Sequence, residues 1–108
     1  MKSVVGLLLL ALMAFGCRRE DIRTVAIHVP EMKNEACVEI VLRAIRGVPS
    51  VDPNAIKVDR ETRMVFVTYE SLNTALKNIE FAVADAGFAA NTVPANAEAA
   101  QALPPDCR

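Results

Sequence analysis

The sequence predicts an α+β domain, an antiparallel sheet with two helices on one face, in the order βαββαβ. Three observations predict it. Residues 24–29, 55–58 and 64–69 alternate apolar and polar side chains, as half-buried strands do, and 88–93 reads as a weaker final strand. Two longer stretches between them repeat their apolar residues at helical spacing. Turn and stop residues stand at the joints: Pro30, Gly47, Pro49, the VDPN run at 51–54, and Gly87.

The first strand, TVAIHV at 24–29, sends Val25, Ile27 and Val29 to one face and Ala26 and His28 to the other. Pro30 and Glu31 end it. From Glu35 the period changes, and Val38, Val41, Leu42 and Ile45 form one face of a helix with Glu39, Arg43 and Arg46 mostly opposite. Asn34 is a favourable N-cap, and Glu35 is a first-turn acid that complements the helix dipole. AIKV at 55–58 and MVFVTY at 64–69 flank the DRET turn and predict a hairpin, with Val65, Val67 and Tyr69 on one face. Leu72, Leu76, Ile79, Val83 and Ala86 make the stripe of a second helix, capped by Ser71 or Asn73 and closed by Gly87 as its C′ residue. FAANTV at 88–93 supplies the final strand. This order resembles the split βαβ, ferredoxin-like plan.

Residues outside this unit have another character. Lys2 precedes an apolar run of 13 residues, Val4–Gly16, too short for the roughly 20 that a membrane span needs. It reads as a secretory leader, residues 1–16. Gly16 directly before Cys17 resembles the lipobox of bacterial lipoproteins, which implies lipidation of Cys17. Ala14 and Gly16 also suit ordinary cleavage, so plain secretion stays open. Residues 17–23 form a charged tether, 24–93 the folded domain, and 94–108 an Ala/Pro-rich tail in which 96–103 has helical composition.

The formal net charge is −1, and no basic patch interleaves with aromatics, which excludes a nucleic-acid surface. No Ser-His-Asp, Cys-His or paired-carboxylate constellation can be picked out, so the chain does not read as an enzyme. Export implies an oxidising compartment in which thiols are read as disulfide candidates. With Cys17 acylated, Cys37 and Cys107 remain as a pair.

Order, size and motif placement over 24–93 resemble the heavy-metal-associated domain of copper chaperones, metal-pump N-terminal domains and periplasmic mercury-transport proteins. Met32 takes the place of the family's loop methionine and Cys37 that of the second motif cysteine. Val41, Ala44 and Ile45 match the spacing that follows it. VFVTYE at 65–70 resembles the third strand, and IEFAVADAGF at 79–88 the second helix with its terminal Ala-Gly-aromatic. Two loop positions depart from the pattern. Asn34 stands at the first motif cysteine, and Glu31 stands where Gly is usual. Ser50 also replaces the Gly that precedes the family's Val, here Val51.

The resemblance implies soft-metal binding or transfer in the cell envelope or periplasm, with Cu(I), Zn(II) or Hg(II) as cargo. An envelope metal transporter or other partner protein would receive it, and an acyl anchor at Cys17 would hold the domain at the membrane. Cys37 carries over as a ligand, activated by the helix N-terminus beside it. Asn34 offers only a hard amide oxygen and reads as a cap. The missing ligand is then sought in Cys107, in Met32 or in a second molecule. The roughly 14 residues after Val93 are long enough to bring Cys107 back to the first helix, at about 3.3 Å each. The opposing expectations are core packing for Met32, a frayed terminal thiol for Cys107, and a solvent-facing His28. A second class of function stays open: a structural or protein-interaction domain of an envelope complex, stapled by a Cys37–Cys107 disulfide. A redox role is a third, though no C-x-x-C supports it.

Overall fold

The computed structural model describes residues 20–108; the expected leader and Cys17 lie outside them. Strand β1 (Ile22–His28) is followed by helix α1 (Glu35–Arg46), strands β2 (Lys57–Asp59) and β3 (Met64–Glu70), and helix α2 (Leu76–Asp85). A short helix α3 (Ala97–Ala102) and a 3-10 turn (Pro105–Cys107) complete the chain. The sheet is antiparallel in the order β1-β3-β2, with Ile27 opposite Val65 and Val58 opposite the same residue from the other side.

Alternation in the sequence decides which sheet face is covered. Ile27 and Val29 of the first strand region, and Val65, Val67 and Tyr69 of β3, are buried. They meet Val38, Val41 and Ile45 of α1, Ile79 and Val83 of α2, and Phe88 just beyond α2. The opposite face, carrying Ala26, His28 and Phe66, is exposed. Among the described residues no helix is long and apolar enough to cross a membrane.

Three local expectations change, each because a side chain is used elsewhere. The β2 strand begins at Lys57 rather than Ala55. The Asp52 carboxylate accepts from the Asn54 N–H and the Asp52 carbonyl from the Ala55 N–H, so the turn extends further. Neither Ser71 nor Asn73 caps α2. The Ser71 hydroxyl donates to Asp21 (2.6 Å), the Asn73 and Thr74 N–H groups bond the Glu70 carbonyl, and the helix starts after Ala75 with no side-chain cap. Leu72 consequently drops out of the apolar stripe and is exposed. The same contacts tie down the start of the chain: β1 begins two residues earlier than expected, and Ser71 and then Arg23 hold the Asp21 carboxyl below its ordinary pKa.

The final strand contracts to a turn. Ala90 and Val93 bridge each other while Asn91 takes a left-handed conformation (φ 50°). Asn91 alone reaches the β1 edge, donating its N–H to the His28 carbonyl and accepting the His28 N–H on Oδ1, both at 2.9 Å. Its amide also donates to Glu80 (2.9 Å), whose buried carboxylate pairs with Lys77 as well.

Ser50 is left-handed too, at φ 67°. A side chain there costs roughly 1–2 kcal/mol that glycine avoids, partly offset by the greater unfolded-state freedom of glycine. Ser50→Gly is therefore expected to stabilise the protein by about 0.5–1 kcal/mol in denaturant titration; a loss of stability would contradict this account.

Candidate functional site

The site is built where the end of β1 feeds α1. Asn34 is extended (φ −143°) and caps the helix, its Oδ1 accepting the Cys37 N–H at 3.1 Å. Such a cap contributes about 1 kcal/mol. Cys37 is thereby placed in the first turn, where unpaired helix N–H groups favour a thiolate over a thiol. Glu35 beside it pairs with Arg60 on the surface. Met32 is 2% exposed and belongs to the core cluster.

The tail reaches this point by a docked path. The Asn96 N–H donates to the Ala84 carbonyl at the end of α2, and Asn96 Oδ1 caps α3 through the Ala99 N–H. Helix α3 lies directly on Gly87, whose φ is +104°. A Cβ at Gly87 would stand 2.9 Å from the backbone of Ala99 and Ala100. Leu103 is buried, Pro104 and Pro105 turn the chain, and the Cys107 N–H donates to the Pro104 carbonyl. Arg108 Nε closes the turn on the Leu103 carbonyl.

At the end of this path Cys107 forms a disulfide with Cys37, with Cα atoms 5.6 Å apart and a sequence separation of 70. Both side chains are buried, at 1% and 0% exposure. Asn34 Oδ1 lies 3.2 Å from the Cys37 sulfur and 4.0 Å from that of Cys107. These are contacts, since a disulfide has no S–H to donate. The helix-start cysteine, the tail cysteine and the cap thus converge on one point.

In the disulfide state neither sulfur offers a thiolate. Reduction leaves two soft donors side by side at a helix N-terminus, with Asn34 Oδ1 as an acceptor for the Cys37 thiol. His28 is not brought to the sulfurs; it faces the exposed side of the sheet. Among the described residues no three His, Cys, Asp or Glu side chains gather as a metal cage. A cavity of about 230 Å³ between Ile22, Val51, Thr68 and Glu70 lies at the other end of the β1-β3 pair, away from the sulfurs.

The docking of the tail on Gly87 is the feature that sequence reasoning missed. The faint signal was Leu103 and Cys107, the two apolar residues that follow α3, on either side of Pro104 and Pro105.

The sequence and fold are similar to those of proteins named for metal transport and metal homeostasis. The chain is 36% identical over 66 residues to the mercuric transport protein periplasmic component of Pseudomonas aeruginosa, spanning 61% of this chain and 70% of that protein. Its fold matches the crystal structure of oxidized MerP from Ralstonia metallidurans CH34 with a TM-score of 0.61 and 34% identity, covering 66% of this chain and 96% of the other. A structure from work on crosstalk between Cu(I) and Zn(II) homeostasis matches with a TM-score of 0.58 and 26% identity, over 64% of this chain and 96% of the other. No family model matches the chain.

Proposed function

The chain belongs to the heavy-metal-associated family that includes the periplasmic mercuric transport component, and from that premise we propose that it binds and passes on a soft metal ion in the cell envelope through Cys37 and Cys107. The observation that carries this reading is the position of Cys107. Its sulfur sits beside residue 34, where the family pattern has its first cysteine and this chain has Asn34. A tail cysteine then supplies the donor that the loop lacks.

The disulfide must open first. Exchange with a dithiol reductant delivers two electrons and two protons, giving two thiols here and a disulfide on the reductant. Binding of Cu(I), Zn(II) or Hg(II) by both sulfurs then releases two protons. The α1 N-terminus favours the Cys37 thiolate, and Asn34 holds that turn in place. The tail covers both sulfurs, so loading and delivery to an envelope transporter or partner protein require the tail to lift. Export through the leader, and an acyl anchor at Cys17, would keep the domain at a membrane surface. The role is binding and transfer rather than catalysis.

Full burial of both sulfurs favours a second reading, a structural or protein-interaction domain with a covalent staple. Metal titration of the anaerobically reduced protein separates the two. On the metal reading, C37S and C107S each weaken Cu(I) or Hg(II) binding by about a hundredfold or more, more than loss of an outer-shell partner costs. Binding that survives C107S removes the paired-thiol reading. A natural chain that binds nothing, beside an Asn34→Cys variant that binds tightly, establishes the staple reading. Peptide mapping of envelope-isolated protein without reductant gives the resident thiol state.

A further inference from the structure

The exposed sheet face carries a second set of soft donors, unconnected with the sulfurs. His28 on β1 stands directly opposite Met64 on β3, and Met64 stands directly opposite Asp59 on β2. The three form one row across the sheet. All point away from the core, because their neighbours Ile27, Val65 and Val58 point into it. His28 is the only histidine of the chain. Met32 and Met64 are the methionines among the described residues, and Met32 is enclosed in the core.

We propose that His28 and Met64 form a second binding site, specific for a soft monovalent cation of the Cu(I) type. An imidazole nitrogen and a thioether sulfur are both neutral donors that suit Cu(I), and a thioether selects against Mg²⁺, Ca²⁺ and other hard ions. Opposed residues of an antiparallel pair have Cβ atoms about 5 Å apart. An ion held by metal–nitrogen and metal–sulfur bonds of roughly 2.0–2.3 Å fits between two such side chains.

The scaffold is fixed before any ion arrives. Asn91 pins the His28 backbone through both its N–H and its carbonyl. The next residue, Val29, donates its N–H to the Arg63 carbonyl at 2.9 Å, which locks the end of β1 to the start of β3. The Asp59 carboxylate in the same row contributes negative potential. Its Oδ1 is held by the Glu61 and Thr62 N–H groups, which keeps the group in place. Phe66, two residues along β3 on the same face, is exposed as well. The site stands at the end of the sheet that leads into the Cys37 loop, on the other side of the sheet from α1.

The test uses the disulfide form of the full chain carrying C17S, so that no thiol is free. It does not depend on the thiol reading, which is decided in the reduced protein; either can fail alone. The protein is labelled at histidine nitrogens and methionine methyls and titrated anaerobically with Cu(I). The expected result is a shift of the His28 imidazole and Met64 methyl resonances that completes at one equivalent, with Met32 unmoved. H28A, at an exposed position, and M64L, at a half-buried one, each lower affinity about tenfold or more in competition against a Cu(I)-chelating dye, as loss of a ligand costs at least what loss of its supporting partner does. Resonances that stay in place at one equivalent overturn the proposal. So does affinity that is unchanged in either variant.

Discussion

C107S is expected to lower the midpoint of thermal unfolding by roughly 15–30 °C, and reductant is expected to do the same to the natural chain. The disulfide closes a loop with a sequence separation of 70. In the chain-entropy account such a closure removes about 4 kcal/mol of unfolded-state freedom. In a domain of this size each kcal/mol moves the midpoint by about 4–8 °C. A folded unit of fewer than a hundred residues has a modest core, so a single cross-link is a large share of its stability. C37S and the double variant should match C107S, because all three remove the same bond and their effects do not add. The check is calorimetry of the four proteins, with and without a dithiol. A natural chain whose midpoint is insensitive to reductant would mean that the tail is not tied to α1, and the site described above would fall with it.

Gly87→Ala is expected to cost about 3 kcal/mol, even in reduced protein. Two independent terms combine. At φ +104° an L side chain is strained, by roughly 1–2 kcal/mol. The added Cβ would also lie 2.9 Å from backbone atoms of Ala99 and Ala100, and overpacking of that kind costs about 1–3 kcal/mol. Backbone cannot swing aside as a long side chain can, so α3 must move. Its displacement carries Leu103 and Cys107 away from their buried places. Denaturant titration should therefore report the lost stability, while alkylation of reduced protein should report faster labelling of Cys107. Normal stability with slow labelling would show that α3 does not rest on Gly87. The residue has two duties: it ends α2, and it admits the tail.

The contrast between those duties shows what was legible. The C′ role of Gly87 follows from local rules, because a helix end in a left-handed turn favours glycine whatever lies nearby. The tail contact is non-local and leaves no periodicity to read. Similarly, Asn34 and Cys37 were legible as cap and first-turn thiol, since both depend only on their own helix. Ser71 was misread as a cap because its hydroxyl has a better partner in Asp21, fifty positions away in sequence. The fourth strand was overread at 88–93 because a short apolar run says nothing of a left-handed Asn91 that turns it back.

The sequence by itself determined the α+β order, the buried and exposed faces of β1 and β3, the α1 cap, and the presence of one helix-start thiol. Each of these follows from period, turn chemistry or capping within a few residues. Only the tertiary structure decided that Cys107 reaches Cys37, that Met32 is core, and that His28 and Met64 share a row. Register and docking depend on which distant surfaces bury one another, and that is settled by packing of the whole domain rather than by any local preference of the chain.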